Sequence, residues 1–243
     1  MRASSSVSRS ALVISALVLA NCSGGGGSPP SGNGPTAPNV VFTIPGPYSQ
    51  TYTPVGGTAF TATQVKLTYI GFPGQPSGLL YESLQIDTTF TQDISTALPA
   101  PGAPLQNGNQ LGVYVVLDTD ANPLTGTSGI GCTNFPGLTS SGGEFLIDGG
   151  FYAGRLPNGN YTLLETTART GNAPTGDVKV SVSGHTLTEV VDLLTLASYN
   201  SVPKIGVVLT VINGLTQQYT EGTPTGTQPI GQCIPAQGEF VTG

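Results

Sequence analysis

The chain has 243 residues, with 7 Lys or Arg, 13 Asp or Glu and one His, so only 8% are charged and the formal net charge is −6. A soluble domain usually carries about 25% charged residues, and a disordered tail combines high net charge with few β-branched residues, so helical bundles and solvated tails are both excluded. The acidic balance excludes nucleic-acid binding by attraction to phosphates. What remains, with 35 Gly, 20 Pro and many Thr but no collagen period, is a turn-dense β protein.

At the N-terminus, Arg2 and Arg9 precede an apolar run of 10 residues, Ala11–Ala20. A membrane span needs about 20 apolar residues, so the run reads as the core of an export signal. It closes on Leu19-Ala20-Asn21-Cys22, followed by Ser23 and the glycines 24–27. This segment resembles the lipobox of bacterial lipoproteins. The resemblance implies that the Cys22 thiol is joined to diacylglycerol, that residues 1–21 are removed, and that the new N-terminus is acylated. It also implies membrane attachment through lipid, with Ser23 directing the protein to an outer membrane where the host has one. An ordinary secretory signal cut after Ala20 is the alternative.

Residues 22–39, rich in Gly, Ser and Pro and free of charge, form a flexible tether. Gly-rich scaling gives it a root-mean-square reach of roughly 20–25 Å. Losing Arg2 and Arg9 with the signal leaves five bases against thirteen acids, a net charge of −8. Anionic headgroups repel such a domain, so lipid, not protein charge, must hold it at the cell envelope.

Residues 40–243 read as one all-β domain. Alternation of apolar and polar residues marks strands over 64–72, with Val65, Leu67 and Tyr69 on one face, and over 80–86, with Leu84 and Ile86 inward and Glu82 on the same side. The continuous run Leu111–Leu117 lacks alternation, as expected of a strand buried on both faces. Strands follow over 144–148 and, after the turn Pro157-Asn158-Gly159, over 160–166. Val178, Val180 and Val182 alternate with Lys179 and Ser181. A corner at Ser183-Gly184-His185 leads to a strand over 187–191, a short helical turn over 192–197 and a central strand over 204–212. The segment after Glu221 reads as loop. Eight or more strands with Gly, Pro and Asn turns predict an antiparallel two-sheet β-sandwich, a closed β-barrel being the alternative.

Two cysteines remain beside Cys22. Cys132 follows Ile130-Gly131 and Cys233 follows Ile230-Gly231-Gln232, and no His pair is near for zinc. An oxidising compartment favours a disulfide between them, with two buried free thiols as the alternative.

The densest polar cluster is Asp118-Thr119-Asp120-Ala121-Asn122-Pro123-Leu124-Thr125-Gly126. Ca²⁺ takes about 6–8 oxygen ligands, and Asp118, Asp120 and Asn122 alternate like the first three ligands of an EF-hand loop. Pro123 and Gly129 stand where that loop needs its glycine and its bidentate glutamate, so the segment is not an EF-hand. It is a candidate Ca²⁺ site, with Glu144 or Asp148 supplying a further carboxylate, or else a turn whose side chains bond the local backbone.

The same turn, followed by Gly-Glu-Phe-Leu-Ile at 143–147 and the strands up to Ile212, is similar to exported sandwich modules of the DOMON and family-9-like carbohydrate-binding group. That resemblance implies sugars, haem or cytochrome-type partners. Sugar platforms are usually aromatic, and the chain has no Trp; Tyr114, Phe151 and Tyr152 are the aromatic residues on offer. Haem would need His185, since Met1 leaves with the signal. Catalysis finds no Gly-x-Ser-x-Gly elbow, no P-loop and no second His. The reading is a non-enzymatic, lipid-anchored protein whose sandwich is structural or binds a glycan or protein partner. The alternative is a carboxylate- or metal-dependent envelope hydrolase. A concave face lined by Tyr and carboxylates would mark a glycan site, and a Thr-covered surface a scaffold.

Overall fold

The computed structural model describes residues 40–44, 46, 49–50, 60–71, 82–105, 110–122, 125–126, 142–149, 155–167, 171–197, 205–213, 230–234 and 240–242. The chain divides into Met1–Gly32 and Asn33–Gly243, and every described residue belongs to the second unit. The signal, Cys22, the tether and Cys132 lie outside the described residues.

The fold is all-β and antiparallel, as the alternation predicts. Its strands are β1 (Val40–Thr43), β2 (Ser49–Gln50), β3 (Ala62–Gly71), β4 (Glu82–Phe90), β5 (Leu111–Asp118) and β6 (Phe145–Asp148). They continue with β7 (Tyr161–Thr167), β8 (Gly171–Ser183), β9 (Thr186–Asp192), β10 (Gly206–Asn213), β11 (Ile230–Ile234) and β12 (Phe240–Val241). A single-turn helix, α1 (Leu193–Leu196), follows β9. No helix among the described residues is long and apolar enough to cross a membrane.

The strands form one curled ladder in the order β1-β3-β4-β9-β8-β7-β6-β5-β10-β11-β2, with β12 also on β10. The curl has a local cause in β8. Its first part pairs with β7 up to Val178, opposite Tyr161, and its last part pairs with β9 from Lys179 onward. The β7–β8 register shifts between Leu163 and Leu164, which face Gly176 and Pro174 and leave Thr175 as an extra residue. A bulge of this kind bends a strand and increases its twist, and it tolerates a proline, which has no N–H for the ladder. β8 therefore belongs to two sheets, one of β1, β3, β4 and β9, the other of β7, β6, β5, β10, β11, β2 and β12.

The inward faces of both sheets share one core. Val65 and Leu67 (β3), Leu84 and Ile86 (β4), Leu187 and Val191 (β9) meet Val113, Val115 and Leu117 (β5), Phe145 and Ile147 (β6), Leu163 (β7) and Val207, Leu209 and Val211 (β10). Burying each such side chain contributes about 1.5–3 kcal/mol, which makes this layer the main source of stability. The far edges of the ladder approach one another but do not pair as strands. The Gln232 side chain on β11 accepts from the Ala62 N–H and returns its own N–H to the Ala62 carbonyl, imitating a strand partner for β3. Tyr69 Oη and Thr242 Oγ1, 2.8 Å apart, add a second tie.

β5 and β6 are buried at every position, on both faces. The loss of alternation in 111–117 has this cause. The segment after Glu221, read as loop, instead contributes β11 and β12. Ile230–Ile234 holds Gly and Gln between its isoleucines, and it becomes a strand because β10 offers it a ladder; tertiary pairing overrides weak local preference.

One inward residue breaks the apolar pattern. Glu189 shares the inner face of β9 with Leu187 and Val191, is fully buried, and neither carboxylate oxygen has a hydrogen-bond partner. Burial pushes its carboxyl up to about 8, so the acid is held neutral at pH 7. A carboxyl raised on folding favours the native state fully below its unfolded pKa, near 4.5, and that advantage is lost as pH climbs through about 8. Urea unfolding should therefore show stability falling by roughly 3–5 kcal/mol between pH 5 and pH 9, at about 1.36 kcal/mol per pKa unit. In Glu189→Gln that part of the slope should disappear. An unchanged slope would place the titration elsewhere.

Candidate functional site

The acidic cluster forms where β5 leaves its sheet. Val113, Val115 and Leu117 point inward, so Tyr114, Val116 and Asp118 point to the outer face of the second sheet, which is itself buried. Asp118 is 0% exposed. Glu144, immediately before β6, is 1% exposed and reaches the same end of the sheet. Its backbone is held on both sides: Glu144 N–H donates to the Leu117 carbonyl (3.0 Å) and its carbonyl accepts from Thr166 N–H (2.8 Å). Thr166 Oγ1 also donates to the Gly143 carbonyl at 2.6 Å. Gly126, at φ +63°, lies against the Gly142 and Gly143 carbonyls so closely that a Cβ would overlap them.

Each buried carboxylate commits one oxygen to the loop. Asp118 Oδ1 accepts from Asp120 N–H (3.0 Å) and Ala121 N–H (2.6 Å). Glu144 Oε2 accepts from Thr119 N–H (2.8 Å) and from Thr119 Oγ1 (3.2 Å). The other oxygens, Asp118 Oδ2 and Glu144 Oε1, are buried without a hydrogen-bond partner. Asp120 sits at the solvent edge, where its Oδ1 accepts from Asn122 N–H (2.9 Å) and Thr125 Oγ1 (3.0 Å). One carboxylate oxygen from each of Asp118, Asp120 and Glu144 lies within 4.8 Å of the other two.

Burial pushes the Asp118 carboxyl up to about 6; the charge of Glu144 adds to the rise and the N–H groups of Asp120 and Ala121 oppose it. Two buried carboxylates at this distance repel each other in a medium of low dielectric. Chemically, the cluster is an oxygen-only donor set of three carboxylates.

Of the residues singled out in the sequence, Asp118 and Asp120 come together with Glu144. Asn122 enters through its N–H to Asp120. Asp148, the other carboxylate considered, lies opposite Tyr114 and Thr162, farther along the same face. His185 stands exposed at the β8–β9 corner, with Nδ1 3.3 Å from the Phe90 carbonyl. Tyr114 is buried, and Phe151 and Tyr152 lie outside the described residues. Cys233 is buried on β11. The buried acid that sequence reading passed over is Glu189; the alternation of Leu187, Glu189 and Val191 was its signal. Comparison of the chain with protein-family models, with curated proteins and with solved structures finds no match.

Ala121, at φ 54°, holds a left-handed conformation in the middle of the turn. For a residue with a Cβ this costs roughly 1–2 kcal/mol. Ala121→Gly should stabilise the fold by about 0.5–1 kcal/mol in chemical denaturation, the relief being partly offset by the greater freedom of unfolded glycine. A loss of stability would show that the turn does not adopt this conformation.

Proposed function

We propose that the chain is a lipid-anchored domain of the bacterial cell envelope, attached through acylated Cys22, and that its β-sandwich is a non-catalytic module with a structural or partner-binding role. The observation that carries the second half of this reading is the outer face of the first sheet. It is covered by short polar side chains bonded to one another across strands. Thr188 Oγ1 donates to Asp87 Oδ1 (2.7 Å), and Gln85 Nε2 donates to Asp87 Oδ2 (2.7 Å). Ser83 Oγ donates to Asp192 Oδ1 (3.1 Å), and the Thr89 and Thr186 hydroxyls lie 3.4 Å apart. A glycan site would call for aromatic platforms and polar groups left open for sugar hydroxyls. A self-satisfied hydroxyl surface suits a scaffold, or a partner that packs against it.

The hydrolase reading would use Asp118 and Glu144 as an acid–base pair. Both are buried, and each is fastened by loop N–H groups, which suits holding the loop better than reaching a substrate.

Anchoring is tested by Cys22→Ala, which should move the protein from the membrane to the soluble envelope fraction or leave an unprocessed precursor. Membrane retention at wild-type size and level would overturn the lipid anchor.

We further propose that Cys233 is joined to Cys132, tying β11 to the β5–β6 connection. Support comes from Cys233, which is buried on β11, and from the export-signal-like N-terminus, which implies an oxidising compartment. Closing a loop of about 100 residues restricts the unfolded chain by up to roughly 4–5 kcal/mol in the chain-entropy account. Mass spectrometry of non-reduced protein should give a joined peptide pair two hydrogens lighter than the free thiols. Quantitative alkylation of both cysteines in envelope-derived protein would refute the bridge.

A further inference from the structure

We infer that Asp118, Asp120 and Glu144 form a binding site for one Ca²⁺ ion that clamps the base of the β5–β6 connection. The inference is independent of lipid anchoring and of any partner.

Acidic side chains in a turn are ordinary, and the exposed Asp120 alone would mean nothing. The decisive feature is the state of the two buried acids. Asp118 Oδ2 and Glu144 Oε1 belong to residues 0% and 1% exposed, and neither oxygen has a hydrogen-bond partner. A buried carboxylate oxygen without a partner is among the costliest groups a fold can keep. Here both acids that carry them belong to one cluster, in which one carboxylate oxygen from each of Asp118, Asp120 and Glu144 lies within 4.8 Å of the other two. Oxygens bound to one Ca²⁺ at about 2.4 Å can be at most about 4.8 Å apart, so the spread admits a shared ion.

The chemistry of the donors selects the class of cation. All three are hard oxygens, with no thiolate and no imidazole, which favours Ca²⁺ or Mg²⁺ over zinc and copper. The supporting frame is a loop of mixed turn geometry. Ca²⁺ accepts irregular coordination, whereas Mg²⁺ demands a tight octahedron and gives up water reluctantly. The opposite oxygens of Asp118 and Glu144 are already fixed by the N–H groups of Asp120, Ala121 and Thr119, so the ligands are oriented before the ion arrives. Asp118 ends β5, Asp120 follows two residues later and Glu144 immediately precedes β6, so an ion bound to all three joins the two ends of the connection between these strands.

The mature protein in detergent, freed of metal with EDTA, is melted with Ca²⁺, with Mg²⁺ and with EDTA, and Tb³⁺ luminescence excited through tyrosine reports occupancy directly. Ca²⁺ in about hundredfold excess over Kd should raise Tm by several degrees. Tb³⁺ emission should appear and be displaced by Ca²⁺. Asp120→Asn, at the exposed edge, should fold normally and lose both responses. Glu144→Gln should lose them too, and without metal it should melt above the wild type, because it removes one of two repelling buried charges while its amide oxygen can still accept from Thr119. A plain turn predicts the opposite for that variant: lower Tm, equal with and without Ca²⁺. Identical wild-type melting in Ca²⁺ and EDTA, or a Ca²⁺ response retained in both variants, would overturn the site. An equal effect of Mg²⁺ would overturn its assignment to Ca²⁺.

Discussion

Burial of β5 and β6 on both faces is the constraint from which the rest of the structure follows. A strand covered on one side can place acids on the other side at little cost. β5 and β6 have no such side: Val113 and Val115 face the core, Val116 and Leu146 face outward, and all four are buried. Any carboxylate at their ends inherits that environment. Asp118 and Glu144 are therefore desolvated by the sheet itself, and the turn between Asp118 and Gly126 is arranged around them. N–H groups converge on one oxygen of each acid, Ala121 accepts a left-handed conformation, and Gly126 lets the loop touch the Gly142–Gly143 backbone.

Much of the frame was legible because hydrophobic period is a local property. The unbroken run Leu111–Leu117 marks a doubly buried strand, and the alternations around Val65, Leu84, Val180 and Leu187 give the core faces their parity. The short helix at Leu193–Leu196 matches the turn expected over 192–197. What escaped was non-local. β1, β2, β11 and β12 are short edge or closing strands whose sequences carry too few alternating residues, and they exist because a neighbour offers a ladder. β8 reads as a valine strand from 178 onward. Its earlier half, containing Pro174 and Gly176, is strand only because β7 pairs with it around the Thr175 bulge.

The acidic site divides along the same line. The Asp-x-Asp pattern after an apolar strand was visible, and so was the availability of Glu144. That Glu144 lies beside Asp118 depends on the β5–β6 register, where Leu117 faces Phe145 across a connection of more than twenty residues. No spacing rule carries that information. The partnerless oxygens follow from the cover on the outer face, another tertiary property.

Glu189 shows that buried acids here answer to two different rules. Neither of its oxygens accepts a hydrogen bond, burial raises its carboxyl, and the proton is the counter-charge it keeps. Asp118 and Glu144 differ from it in each committing one oxygen to the loop, Asp118 to the N–H groups of Asp120 and Ala121 and Glu144 to the N–H and hydroxyl of Thr119. Among the described bases, Lys66 and Lys179 lie on the outer face of the first sheet, and Arg155 is spent on the Gly159 and Pro99 carbonyls. Neutralisation at the β5–β6 base can come from protons or, as proposed above, from a bound cation. A cation at the proposed site would engage oxygens of both acids at once, whereas taking up a proton removes the charge of only one.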